Sequence, residues 1–137
     1  MTESKLIDEE NANLVEPEKI MTFLSSDLGA RMCQADTRDE LHVEEPFVLG
    51  VAANRLDAKF PEEERVLIQG IIDAFFYENG KIVLMDYKTD AVKKAQELVD
   101  RYKTQLDYYE EALTRITGIE VVERLIYSFA LGETISC

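Results

Sequence analysis

Apolar positions along the chain recur in two rhythms, and each rhythm predicts a kind of element. From about Pro17 to Ala35, Ile20, Phe23, Leu24, Leu28 and Met32 fall at helical spacing, and Pro17 suits a first turn, so one helix is expected there. LHVEEPFVLGVA, residues 41 to 52, reads as a strand that Pro46 pushes toward a sheet edge or a bulge. After a polar loop through Lys59-Phe60-Pro61-Glu62, VLIQGIIDAFFYE and KIVLMDYKT read as two strands separated by Asn79-Gly80. Asn-Gly is the strongest short hairpin signal, because both residues of a type I′ turn need positive φ. Helical spacing returns from Asp90 to about Ile116, with an apolar seam of Val92, Ala95, Val99, Tyr102, Leu106, Tyr109, Leu113 and Ile116 and a stop at Gly118. VVERLIYSFAL, residues 121 to 131, completes the pattern as another strand.

A helix with one apolar seam among strands needs a sheet to cover, so this mixture predicts an α/β sandwich with an at least partly antiparallel sheet. The hairpin, apolar on both faces, is expected at its centre. Residues 1 to 16 read as a poorly ordered start, and residues 17 to 137 as one domain.

Composition adds exclusions. No run approaches the roughly 18 consecutive apolar residues of a membrane span, and the acidic N-terminus MTESKLIDEENANLVEPEK is unlike an export signal. Cys33 and Cys137 lie far apart without CxxC or Cys/His spacing, so neither a disulfide framework nor a zinc site is signalled, and a reduced cytoplasm fits best. The formal net charge of -13 argues against a broad basic face for nucleic acid. Most of the excess lies upstream: residues 1 to 65 hold 16 acids and 7 bases, residues 66 to 137 hold 12 and 8. Runs such as DEE, DELHVEE and EEE are expected to be solvated loops and helix faces.

Two acids do not fit that solvated background, because Asp73 and Asp86 interrupt apolar strands. With Asn79-Gly80 as a two-residue turn, Glu78 faces Lys81 and each further pair sums to 159, which sets Asp73 directly opposite Asp86 in a non-hydrogen-bonded pair. Their Cα atoms would stand roughly 4.5 Å apart with both side chains on one face, an arrangement a bulge would shift. Like charges so placed are destabilising unless they share a proton or bind a hard divalent cation. Lys88, two residues beyond Asp86, points to the same face. An acid pair with an adjacent ammonium supplies what metal-assisted phosphodiester hydrolysis needs, while a plain structural ion pair explains the lysine equally well.

GIIDAFF, IVLMDYKTD and YKTQLDYYEEAL together resemble the RecB-type nucleases of the PD-(D/E)XK superfamily, in particular the C-terminal nuclease domain of AddA-type helicase–nucleases. The shared pattern is G-x-x-D on one strand, D-Y-K-T on the next and Q-L-x-x-Y on the following helix. The likeness extends more weakly through FLSSDLGARM and VEEPFVLGV. It implies a restriction-endonuclease-like sandwich, a central mixed sheet with an antiparallel catalytic hairpin flanked by helices. It further implies that Asp73 and Asp86 ligate magnesium, for which manganese can substitute, with the Tyr87 backbone carbonyl completing the sphere. Lys88 would orient or activate the attacking water, and Gln105 and Tyr109 would support the site or touch the DNA strand. Tyr109 also belongs to the seam and fits a plain core role.

Upstream, the family carries an acid in R-E-x-P-F. The matching Val43-Glu44-Glu45-Pro46-Phe47 points to Glu44 as a further metal ligand, with Glu45 competing for the role. A family histidine after a Gly-Thr pair has no counterpart, and His42 reads as a surface strand residue. The resemblance therefore implies an excerpt of a longer ATP-dependent helicase–nuclease acting on DNA with an AddB-like subunit, an excerpt that lacks the upstream histidine helix and is expected to bind metal and cleave DNA only weakly by itself. The excerpt itself has no G-x-x-x-x-G-K-[ST] phosphate loop. The alternative is a nuclease-fold scaffold that binds DNA or a partner without cleaving.

Overall fold

A computed structural model describes residues 17–137, so the segment expected to be poorly ordered lies outside the described residues. Two helices, α1 (Pro17–Leu24) and α2 (Asp27–Thr37), precede strand β1 (Leu41–Ala52) and a short 3-10 turn at Ala53–Arg55. Strands β2 (Arg65–Glu78) and β3 (Lys81–Lys88) form the hairpin, helix α3 spans Ala95–Thr117, and β4 (Val121–Ser128) and β5 (Glu133–Ser136) follow. The five strands form one mixed sheet in the order β1-β2-β3-β4-β5. Only the β3–β4 pair is parallel, joined by the crossover through α3. The hairpin thus holds the second and third places, and the Pro46-bearing strand is an edge, as its sequence predicts.

Helices α1 and α2 cover one face, where Phe23, Leu28 and Met32 pack on Ala74, Phe76, Val83, Met85, Tyr87 and Tyr127. Helix α3 covers the other, packing Leu98, Leu106, Tyr109 and Leu113 on Phe47, Ile72, Phe75, Ile82, Leu84 and Ile126. Among the described residues no helix is long and apolar enough to cross a membrane.

Several boundaries differ from expectation. The single N-terminal helix is two, because Ser26 ends one and caps the next: its hydroxyl accepts from the Gly29 N–H at 3.1 Å. Helix α3 begins at Ala95 rather than Asp90, since Asp90 commits its carboxylate to Tyr102 and Arg101. Glu97 reaches back to the Lys93 N–H at 2.9 Å, satisfying a donor just ahead of the first turn. At the far end Gly118 closes the helix at φ 72° as predicted, but Ile116 is 67% exposed and Leu98 and Ala112 occupy core positions outside the predicted seam. The last strand ends at Ser128, and a turn leads into β5, which the sequence pattern does not announce.

The turn behaves as its sequence requires, with φ of 54° at Asn79 and 77° at Gly80. The register keeps the sum of 159 from Glu78↔Lys81 to Ala74↔Met85. Beyond that pair, β1 and β2 exchange faces. Ile72 packs under α3 while Ala74, two residues on, packs under α1 and α2, although residues two apart in a regular strand share a face. Strand β1 does the same, with Val43 on one side and Phe47 on the other. The centre of this double kink is Glu44, at φ 50°, lying between Val43↔Ala74 and Glu45↔Ile72 and therefore level with Asp73.

Candidate active site

The kink peels β2 from β3 at Asp73, and this frees polar groups for a site. In a continued ladder the Tyr87 N–H would meet the backbone of Ile72; instead it donates to Asp73 Oδ2 at 3.0 Å. The Asp73 and Asp86 carboxyls hydrogen-bond to each other. Asp86 is almost wholly buried, 2% exposed. Burial first, then the hydrogen bond and charge of Asp86, push the Asp73 carboxyl up to about 8, while the Tyr87 N–H and Lys88 pull the other way. At neutral pH the Asp73 carboxyl therefore keeps its proton.

Lys88 stands at the open end of the pair, with Nζ 2.9 Å from Asp86 Oδ2. The approach has ion-pair distance but not hydrogen-bond alignment, so Asp86 Oδ2 is buried without a hydrogen bond. The ammonium instead donates to Gln105 Oε1 at 3.2 Å, and Gln105 Nε2 donates to the Tyr109 hydroxyl at 2.9 Å. It also sits 3.9 Å from the centroid of the Tyr102 ring. Such a contact is worth about 0.5–2 kcal/mol depending on desolvation.

Tyr109 is fixed in turn by the strands. Its ring meets Phe47 edge to face, centroids 5.3 Å apart. Phe47 lies opposite Gly70, where a Cβ would stand 2.8 Å from the Phe47 ring. The glycine of the G-x-x-D stretch therefore opens the slot that seats Phe47 against Tyr109. Burial, then Asp86 and Asp73, push the Tyr109 phenol up to about 12, so its hydroxyl keeps its proton.

The structure thus gathers Asp73, Asp86, Lys88, Gln105 and Tyr109. The Tyr87 side chain faces away into the α1/α2 core. Glu44 and Glu45 are exposed, and among the described residues no three His, Cys, Asp or Glu side chains converge at metal-binding spacing. His42 is half-buried rather than superficial, stacked on Phe75 with ring centroids 4.9 Å apart, because it pairs with Phe75 across the ladder. The apolar pattern places Tyr102 in the seam but misses its contact with Lys88, and misses Asp90 altogether as its partner. Tyr102 lies three residues before Gln105 and seven before Tyr109, a helical spacing that puts all three on one face.

No protein-family model matches the chain. It is similar to curated AddA-type proteins, named as one subunit of an ATP-dependent helicase/nuclease: it is 41% identical over 138 residues to one from Clostridium perfringens, covering 96% of the chain. The relative from Clostridium botulinum is 39% identical over 139 residues, covering 98% of the chain, and one from Clostridium novyi is 38% identical over 135, covering 94%. The chain spans 11% of the length of each of these relatives. What it resembles, over nearly its whole length, is one segment of a helicase/nuclease protein.

Proposed function

We propose that this chain is a metal-dependent deoxyribonuclease domain of the PD-(D/E)XK type, corresponding to the C-terminal nuclease domain of an AddA-type protein. The observation that carries this reading is the contact of two strand-borne carboxyls with a lysine held beside them. A fold gains nothing from pressing two acids together in a half-buried position unless a cation or proton serves them.

The residues fit a hard divalent ion such as magnesium or manganese. Asp86 Oδ2 is a buried oxygen without a hydrogen bond, and the Asp73 carboxyl beside it holds a proton that a cation would displace. Asp73 and Asp86 would hold the ion, with the Tyr87 carbonyl following from the family pattern; Glu44, level with Asp73 in the sheet, stands apart from them. When bound, the ion supplies Lewis-acid polarisation of the phosphodiester and acidifies water. The chain's own part is positional. Lys88, held by Gln105, directs an ammonium at the mouth of the acid pair, where it orients an attacking water and offsets charge on the scissile phosphate. The α3 seam and the apolar strands hold that geometry and restrict water on the inner side.

In the parent protein we infer that a helicase motor using ATP feeds DNA strands to this domain during double-strand-break repair and recombination, alongside an AddB-like partner. The second reading, a nuclease-fold scaffold that binds DNA or a partner without cutting, is favoured by one observation: Glu44 does not converge on the acid pair. Cleavage separates the two. Single-stranded DNA incubated with magnesium or manganese should be cut by the unaltered chain and not by Asp86→Ala or Lys88→Ala; equal cutting by all three would contradict the first reading.

A further inference from the structure

We propose that Tyr102 is a positioning residue for Lys88: its ring face seats the ammonium, and its hydroxyl, tied to Asp90, holds the ring in place. The inference rests on the reading of Asp73, Asp86 and Lys88 as a phosphodiester-cleaving site, and it concerns residues that this reading leaves without a role.

A lysine only 16% exposed on its side chain needs a defined direction, because the acid it neighbours does not supply one. Asp86 Oδ2 lies close but misaligned, so the ion pair leaves the ammonium free to swing about the carboxylate. Two further contacts remove that freedom. Gln105 accepts one N–H at 3.2 Å, and the Tyr102 ring lies 3.9 Å away on the ammonium. Both come from α3, one turn apart on the same face.

The tyrosine is itself fastened. Its hydroxyl donates to Asp90 Oδ2 at 2.7 Å, and Arg101 Nη1 donates to the same oxygen at 3.0 Å. Asp90 lies two residues beyond Lys88, on the segment that leaves β3 before α3 begins. The latch therefore ties the exit of β3 to the first turns of α3, closing a ring of contacts from Lys88 through the backbone to Asp90, Tyr102 and back to Lys88. Packing alone does not require this arrangement. Leu98 and Leu106, the fully buried neighbours on the same face, anchor the helix to the sheet without it. A rotation of α3 or a slip of the exit segment would move the ring off the ammonium, and an error of about 1 Å at such a group costs on the order of 10²-fold in rate.

The test follows the Lys88 ε-methylene protons by NMR in the whole chain, because a ring face over the ammonium shifts them upfield. Single-turnover cleavage of single-stranded DNA is measured beside it. The unaltered chain should show the full upfield shift and Tyr102→Phe, which keeps the ring but loses the latch, a reduced one; Tyr102→Leu should lose it. Cleavage should fall about 10²-fold in kcat for Tyr102→Leu with KM nearly unchanged, and Tyr102→Phe should restore part of it. Asp90→Ala likewise keeps the ring and removes the latch, so it should reduce both the shift and kcat as Tyr102→Phe does, and it serves where the leucine variant fails to fold. Lys88 protons at the same position in the unaltered chain and in Tyr102→Leu, or full kcat in both Tyr102→Leu and Asp90→Ala, would overturn the proposal. If no variant and no parent chain cuts DNA while the shift responds as described, the nuclease reading falls and the seating of Lys88 by Tyr102 stands.

Discussion

Among the described residues Asp73 carries the clearest pH signature. An unfolded aspartate titrates near about 3.9, whereas the folded one is pushed up to about 8, chiefly by burial and then by Asp86. Between those values the folded state holds a proton that the unfolded state has released, so stability is greatest below the lower value and falls as pH rises through the window. Thermal melts in chelator should therefore show a falling midpoint from pH 5 to pH 8.5. Asp73→Asn, which keeps the shape without the titration, should flatten that slope and be the more stable form at pH 8. Added magnesium should act in the opposite sense, raising the midpoint of the unaltered chain more at pH 8 than at pH 6, because the ion takes the place of the Asp73 proton. Gly70 gives a second single-position expectation. Alanine there must displace the Phe47 ring that braces Tyr109, so Gly70→Ala should cost about 1–3 kcal/mol in urea unfolding.

At the scale of elements, local chemistry decides what is legible in the sequence. The Asn79-Gly80 turn and its register follow from two residues, and they carry the strands in step as far as Ala74 and Met85. The contact of Asp73 with Asp86 is readable for that reason. The double kink that completes it is not, because it depends on Glu44 at φ 50°, a conformation that no glutamate announces. Asp90 resembles the acidic start of a helix, and only the fold shows its carboxylate committed to Tyr102 and Arg101. The seam gives the direction of Ile116 but not its burial: it lies five full turns from the buried Leu98 on the same side of α3, and near the helix end it stands in an open surface groove with Pro46, Phe47 and Gly70 instead of under the sheet. The divided N-terminal helix yields a direct check. Ser26→Ala removes the cap that starts α2 and should cost about 1 kcal/mol by denaturant titration, without altering Lys88 or its contacts.

For the molecule as a whole, the sheet places its chemistry where the strand directions change. Strand β3 runs antiparallel to β2 and parallel to β4, and the acid pair and lysine stand at the end of β3 from which the chain crosses into α3. Ligands in open α/β sheets gather at such crossings. The net charge of -13 says something different about affinity. DNA binding driven by phosphate contacts weakens with salt in proportion to the contacts made, and a surface this acidic offers few. In metal-free solution the chain should bind single-stranded DNA weakly, with a salt slope equivalent to about one or two phosphate contacts, as read by fluorescence anisotropy across a salt series. The relatives it matches carry most of their length outside the matched segment.

The central claim is that Asp73 and Asp86 cut DNA through a shared divalent ion, and one measurement meets it most directly. Single-turnover cleavage of a labelled single-stranded oligonucleotide is followed across a magnesium series for the unaltered chain and for Asp86→Asn, which preserves the size of the side chain. The account predicts a rate that rises with magnesium and saturates for the unaltered chain, and no magnesium-dependent cleavage for Asp86→Asn. The same magnesium-dependent rate in both proteins would contradict it.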